Sequence, residues 1–268
     1  MKQVDLMCSK IGFGGSRLHY LLSRKHRRAL IESAFGWGIN YFDVAPLYGF
    51  GLAERALGEF LNSHRSERSQ IVVATKWGYA ADPIMNSVPA DVVTCGYFFA
   101  LLKNRLARAD HRDRFNRRSL FKSVEDSLCR LQTEYIDILW MHEPEVGLVS
   151  DWEEINAAFD VLQSQGKVKY FGVAGYAARS RQVIDELARS PKLYQCEESG
   201  WDNTCVPDVT FNAISPGVQR FNADTIESDS VALRLKRALK RRNQGVVLVS
   251  TTKLHNLSEL SKIASDCD

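Results

Sequence analysis

Two kinds of hydrophobic pattern alternate along this chain. Short runs rich in β-branched and aromatic residues fall at 10–14, 40–44, 71–76, 136–141, 168–173, 194–196, 209–214 and 245–249. Brief, near-continuous apolar runs of this kind read as strands buried on both faces. Between them lie longer stretches whose apolar residues recur at three- and four-residue spacing, the mark of amphipathic helices. The spacing predicts helices over 24–37, 52–62, 119–131, 152–165, 179–189 and 230–243, with a last one beginning near Asn256. Ser23 is placed to cap the first helix and Gly38 to stop it, and Gly166 ends the fourth.

Eight strands, most followed by a helix, imply parallel βα units. Eight such units within 268 residues match the size of a (β/α)8 TIM barrel, expected here as a single domain over 1–268. A doubly wound sheet is the alternative. The thinnest unit is the sixth, because residues 198–208 are too few for a long helix. One segment breaks the rhythm. Residues 79–117 form a long insertion after strand three, far beyond the usual βα loop. It mixes the apolar run 97–102 with Lys103, Arg105, Arg108, Arg112, Arg114, Arg117 and Arg118. It reads either as a solvated excursion with exposed arginines, or as a lid over the barrel mouth that recognises an anionic or polyhydroxylated ligand.

Composition narrows the class. The apolar fraction of 45% supports a large core, and 35 basic against 32 acidic residues leave a net charge of +3. That excess is too small to indicate a nucleic-acid partner. The basic stretch 235–242 reads as a solvated helix face with Leu235 and Leu239 turned inward. The six cysteines show neither C-x-x-C nor zinc-ligand spacing, so reduced, mostly buried thiols are expected. The first residues lack an apolar leader pattern, and no run of about 18 apolar residues offers a membrane span. The default expectation is a soluble cytoplasmic protein with no membrane partner and no metal; oligomeric state is not legible.

Candidate chemistry sits at strand ends. Asp43 closes strand two, Lys76 strand three and His142 strand four, while Tyr48 lies in the Pro/Gly-rich loop after Asp43. In a barrel these ends converge on one mouth. An ordinary tyrosine, with a pKa of about 10, is a poor acid at neutral pH. A neighbouring ammonium at Lys76 favours tyrosinate, Asp43 holds that ammonium charged, and His142 donates to a substrate oxygen. Such a set suits proton transfer at an alcohol oxygen, the partner reaction of hydride transfer with a nicotinamide.

The same residues carry a family resemblance. Stretches 42–49 (FDVAPLYG), 74–78 (ATKWG), 123–131 (SVEDSLCRL), 135–142 (YIDILWMH) and 166–173 (GKVKYFGV) resemble the aldo-keto reductases in order and spacing. The resemblance implies a (β/α)8 barrel and a catalytic tetrad of Asp43, Tyr48, Lys76 and His142, with Tyr48 the general acid/base. It implies an NAD(P)(H)-dependent oxidoreductase acting on a small-molecule carbonyl compound or sugar. It also implies cofactor contacts at Gly14, Gly15, Asp43, Ala174, Gly175, Gln195, Ser215, Ser250, Thr251, Thr252 and Lys253. No G-x-G-x-x-G motif follows a strand, so a Rossmann site is not indicated.

Two positions depart from the family pattern. A Ser-Asn pair usually ends strand five, where this chain has Ala174 and Gly175. Glycine there also occurs in sugar dehydrogenases resembling L-galactose dehydrogenase, a pointer to a sugar or hydroxyaldehyde. The Lys and Arg that commonly clamp a 2′-phosphate near Ser250 and Asn256 are missing, although Lys253 is close. NADP(H) therefore stands ahead of NAD(H) by family habit alone. Eight residues follow Leu260, so an open pocket, or one walled by 79–117, is expected. The rival reading is a nicotinamide-binding redox sensor on the same barrel, against which the intact tetrad argues.

Overall fold

The computed structural model describes residues 6–81, 114–187, 192–202, 205–214, 230–241 and 244–267. Eight parallel strands close into a barrel in chain order: β1 Ile11–Gly14, β2 Tyr41–Asp43, β3 Val72–Trp77, β4 Ile136–His142, β5 Val168–Ala174, β6 Leu193–Glu197, β7 Val209–Phe211 and β8 Val246–Val249. The doubly wound alternative is excluded by the β1–β8 pairing, in which Gly12 lies opposite Leu248. Around the barrel run α1 Arg24–Gly36, α2 Leu52–Ser63, α3 Arg117–Leu131, α4 Trp152–Ser164, α5 Ala177–Glu186, α6 Val231–Arg241 and α7 Leu254–Ser265.

Helix ends follow local chemistry. The Ser23 hydroxyl accepts from His26 N at 3.4 Å, and Gly38 takes φ +85° just beyond α1, both as the sequence implies. The third helix starts two residues earlier than its apolar spacing indicates. Asn116 and Ser119 form a reciprocal capping box there, recruiting Arg117 and Arg118 into the first turn. Strand β7 stops at Phe211 rather than continuing to 214, because Asn212 turns into the left-handed region at φ +61°. Between β6 and β7 no helix occurs among the described residues. Asp208 instead bonds back to β6, its carboxylate accepting from Tyr194 N at 3.0 Å and its own N–H donating to Tyr194 O at 2.7 Å.

Side chains partition by the two-residue period of each strand. Tyr41, Ala74, Ile138, Trp140, Ala174, Leu193, Val209, Val246 and Leu248 form one buried cluster, the filling of the barrel. Their neighbours Phe42, Val73, Leu139, Met141, Val173 and Val247 join the helix side chains in the other, outer core. Leu235 and Leu239 of the basic helix are buried, as expected. Two glycines allow large residues inside. A Cβ on Gly12 would lie 2.8 Å from the Tyr41 ring, and one on Gly172 would lie 2.4 Å from Trp140.

Most of the 79–117 insertion, with Cys95, lies outside the described residues. Its two ends are visible. Gly78, at φ +124°, passes so close to Phe115 that a Cβ would lie 2.5 Å from that ring, and Phe115 stacks edge-on against Trp77 at 5.0 Å. No disulfide joins the described cysteines, but only Cys196 is fully buried; Cys129 is exposed on α3 and the others are half-buried. The expectation of mostly buried thiols is thus corrected. No described helix is long and apolar enough to cross a membrane.

The barrel filling yields a first expectation. Gly172→Ala places a methyl group 2.4 Å from Trp140 Cζ3 and 2.6 Å from the Leu193 carbonyl oxygen, backbone that cannot rotate away. Overpacking of this kind costs about 1–3 kcal/mol. Urea unfolding should show that loss as a lower midpoint at unchanged slope, whereas Gly166→Ala, at a site with open space but φ +69°, should cost less.

Candidate active site

One step of two residues above the barrel filling lies a ring of inward-facing positions. Tyr41 is followed by Asp43, Ala74 by Lys76, Trp140 by His142, Leu193 by Gln195 and Leu248 by Ser250. The strand period that buries the apolar residues therefore delivers these polar ones to the C-terminal mouth. Asp43, Lys76, His142 and Gln195 are all buried there.

Asp43 is the hub. One carboxylate oxygen accepts from Lys76 Nζ, and the other accepts from Gln195 Nε2 at 2.9 Å across the barrel. Lys76 Nζ also donates to the Val44 carbonyl at 3.2 Å and stands 5.3 Å from the centre of the Tyr48 ring. Burial works against the ammonium, yet Asp43 and Tyr48 outweigh it and hold the Lys76 pKa above its ordinary value. Tyr48 immediately precedes the turn that holds Gly49, Phe50 and Gly51, all at positive φ. A Cβ on Gly49 would lie 2.5 Å from His19 Cβ, so glycine lets this loop rest on the β1–α1 loop.

The Tyr48 hydroxyl differs from expectation. Lys76 does pull its pKa down, but burial is the larger effect, and Asp43 adds to it, so the net shift is upward. In the ligand-free protein Tyr48 keeps its proton. His142 stands edge-on to Tyr48, ring centres 6.1 Å apart, and edge-on to Tyr79 at 5.1 Å. Its Nδ1 is buried without a hydrogen-bond partner, and burial together with the Lys76 charge lowers its pKa to about 3. A neutral imidazole remains, with Nδ1 unpaired among the described residues. Glu143, next in the chain, is exposed; its N–H donates to Ala174 O at 2.6 Å and its φ is +48°.

The expected cofactor positions separate into three groups. Gly14, Ser250 and Asp43 line one cavity of about 250 Å³ that also touches Tyr48. The Ser250 hydroxyl donates to Gly14 O at 2.9 Å, and Cβ atoms on Gly14 and Gly15 would meet Ser250 Oγ at 2.4 Å and Val44 at 2.8 Å. Ala174 and Gly175 sit beside Gln195, whose carbonyl accepts from Gly175 N at 3.1 Å. Thr251 lines a second cavity of about 570 Å³ against α7, but Thr252 and Lys253 are not on either wall. Ser215 lies outside the described residues.

The two cavities share Arg17, Ile214 and Ser250 and so form one continuous groove. It runs from the Asp43–Tyr48 mouth to Asn256 and Glu259 at the start of α7. Arg17 is exposed and has no ion-pair partner among the described residues. Sequence reasoning missed Ser16, Arg17 and Asn212, which lie in loops without periodicity and are signalled only by their proximity to strand ends one and seven; Asn256 entered it only as the position of a missing phosphate clamp. The groove is elongated, with Asp43 and Tyr48 at one end and the Arg17 guanidinium shared by both of its parts.

Comparison with known proteins gives consistent findings. A model described as the aldo/keto reductase family matches residues 10–199. The chain is 33% identical over 170 residues to aldo-keto reductase AMT2 of Alternaria alternata, covering 63% of this chain and 45% of that protein. It is 31% identical over 174 residues to L-galactose dehydrogenase of Arabidopsis thaliana, covering 63% of this chain and 46% of that one. Its matches thus span about half the length of these curated relatives. The fold superposes on aldo-keto reductase AKR11C1 from Bacillus halodurans, a holo form, with TM-score 0.64 at 19% identity over 97% of this chain and 87% of that one.

The lowered His142 pKa sets a second expectation. The folded protein refuses the proton that the unfolded chain accepts near the ordinary value of 6.5, so the stability it contributes is present above 6.5 and lost as pH falls toward about 3. His142→Gln, unable to titrate, should flatten the acid limb of stability against pH by on the order of a few kcal/mol. Denaturant midpoints measured at steps between neutral and acid pH check this; identical acid limbs in the two proteins would contradict it.

Proposed function

This chain belongs to the aldo/keto reductase family, and from that premise we propose that it is an NAD(P)(H)-dependent oxidoreductase. In this reading it interconverts an aldehyde, ketone or sugar hemiacetal with the corresponding alcohol or lactone. The observation that carries the proposal is the convergence of Asp43, Lys76, Tyr48 and His142 on one mouth, with a buried imidazole nitrogen unpartnered.

A nicotinamide bound in the groove would supply or accept the hydride. The protein's own residues do the rest. Gly14 and Gly15 let the β1–α1 loop run close to the groove, Ser250 and Thr251 offer hydroxyls along it, and Arg17 offers a guanidinium to a phosphate. Gln195 holds Asp43 in place. Tyr48 donates its proton to the substrate oxygen in reduction and accepts one in oxidation. Lys76, kept charged by Asp43, lowers the energy of the tyrosinate that remains. Neutral His142 positions the oxygen, since its low pKa keeps it from competing as an acid.

NADP(H) stands ahead of NAD(H) on family habit. The Ala174–Gly175 end of β5 and the likeness to a galactose dehydrogenase favour a sugar or hydroxyaldehyde over a plain alkyl ketone.

Tyr48→Phe should lower kcat by at least about a thousandfold while leaving fluorescence titrations with NADPH and NADH unchanged, because only the proton path is cut. Turnover that survives the change would sink the assignment of Tyr48. Arg17→Ala should weaken both NADPH and NADH by roughly tenfold, the scale of one charge-assisted hydrogen bond. Unchanged affinity for both would remove Arg17 from the groove's binding set.

A further inference from the structure

The mouth holds a charged group that the proton path does not use. Glu143 directly follows His142, and its backbone sits in the left-handed region at φ +48°, uncommon for a residue with a side chain. Its N–H is tied to Ala174 O at 2.6 Å, so the turn is fixed to the end of β5. Gly175 packs closely here: a Cβ there would lie 2.9 Å from Ser180 Oγ and 3.2 Å from Glu143 Cα. The glycine that departs from the family pattern thus lies against the left-handed glutamate as well as against α5. Strained conformations of this kind concentrate at functional sites.

The carboxylate is unpartnered among the described residues. It is exposed, and no donor reaches it among the described residues. Three described cations on this side of the mouth are otherwise engaged. Lys76 is bound to Asp43, Arg114 lies over the Tyr79 ring at 4.3 Å, and Arg179 pairs with Glu145 at 2.7 Å. The Glu143 charge is felt at Tyr48, where it opposes a second negative charge. That influence is the weakest of those on Tyr48, but Glu143 directly follows His142, whose ring stands 6.1 Å from that of Tyr48, so it sits at the rim of the same mouth.

We infer that Glu143 selects the substrate at this mouth: it accepts hydrogen bonds from hydroxyls of a neutral polyhydroxylated carbonyl compound and rejects compounds that carry a carboxylate. The inference rests on the proposed oxidoreductase reading and narrows its substrate class. An ionised carboxylate is an acceptor only, with about four lone-pair sites, and so matches vicinal hydroxyls. An anionic substrate would bring like charge beside the Glu143 carboxylate, and like charges a few ångströms apart repel.

The test compares Glu143→Gln, which keeps shape and removes charge, with the wild type on two pairs of aldehydes. Benzaldehyde and 4-carboxybenzaldehyde differ by a charge, propanal and glyceraldehyde by hydroxyls. Removing the carboxylate should raise the acid-to-neutral ratio of kcat/KM by roughly fivefold or more, chiefly through KM, and lower the glyceraldehyde-to-propanal ratio. Binding is read separately, by tryptophan fluorescence with benzyl alcohol and 4-carboxybenzyl alcohol in the presence of NADP or NAD. The same charge preference should appear in their dissociation constants. Ratios that stay within twofold of wild type in both assays overturn the role of Glu143 and leave the oxidoreductase reading standing. A wild type that turns over none of the aldehydes overturns that reading, while the alcohol-binding ratio still decides whether Glu143 discriminates by charge.

Discussion

A carboxylate and an ammonium buried side by side constrain most of this structure. Taking either charge alone out of water costs several kcal/mol, and the cost is offset only when the pair is closely matched and its remaining hydrogen-bonding capacity is used. Asp43 and Lys76 meet both conditions. Lys76 donates to Asp43 and to the Val44 carbonyl, and the second oxygen of Asp43 takes Gln195 from the far side of the barrel. The arrangement requires β2 and β3 to be neighbours in parallel register, with Asp43 opposite Ala74. It also requires β6 to bring Gln195 level with Ala174. Barrel closure and the charge network therefore specify each other.

The opposite end of the barrel shows the same problem solved for stability alone. Asp137 at the start of β4 is buried and accepts from Arg68 at 2.9 Å, Lys169 at 2.8 Å and the Val73 N–H at 3.0 Å. Both cations also lie over the Tyr135 ring, at 3.9 and 4.2 Å. Between helices, Glu54 takes Arg130 and Thr75, each at 2.6 Å. In these networks the buried carboxylate meets several donors. At the mouth His142 Nδ1 is left unpartnered and Glu143 is left without a donor. An unsatisfied group is costly in a protein interior, and at the mouth that cost falls on a residue standing edge-on to Tyr48.

Legibility followed the range of the interaction. Strand and helix identities were readable because burial on both faces and burial on one stripe leave different periodicities over ten or so residues. Asp43, Lys76 and His142 were readable as a set because each ends such a strand. The Asp43–Gln195 hydrogen bond joins residues 152 apart in sequence and leaves no local trace. The groove residues Arg17, Asn212 and Asn256 come from separate loops and a helix start, so only closure of the barrel shows that they share a wall. The early start of α3 at Arg117 depended on a capping box, a local signal that apolar spacing overlooks. The direction of the Tyr48 shift was misjudged because the sequence names its charged neighbours but not the depth of its burial.

That last difference bears on how the site works. An ammonium beside a phenol is usually read as a device that strips the phenol of its proton. Here burial disfavours tyrosinate more than Lys76 favours it, so the resting hydroxyl is protonated. Lys76 is then best understood through the charge it retains. Its own pKa is held up by Asp43 against burial, so it stays cationic while Tyr48 changes state. A fixed positive charge beside a phenol stabilises only the deprotonated form, which exists after proton donation and not before it. Such an interaction lowers the energy of the step rather than of the resting state. The Asp43–Lys76 pair serves the proposed chemistry because it is rigid and already assembled within the barrel wall, with no solvent to reorganise around it.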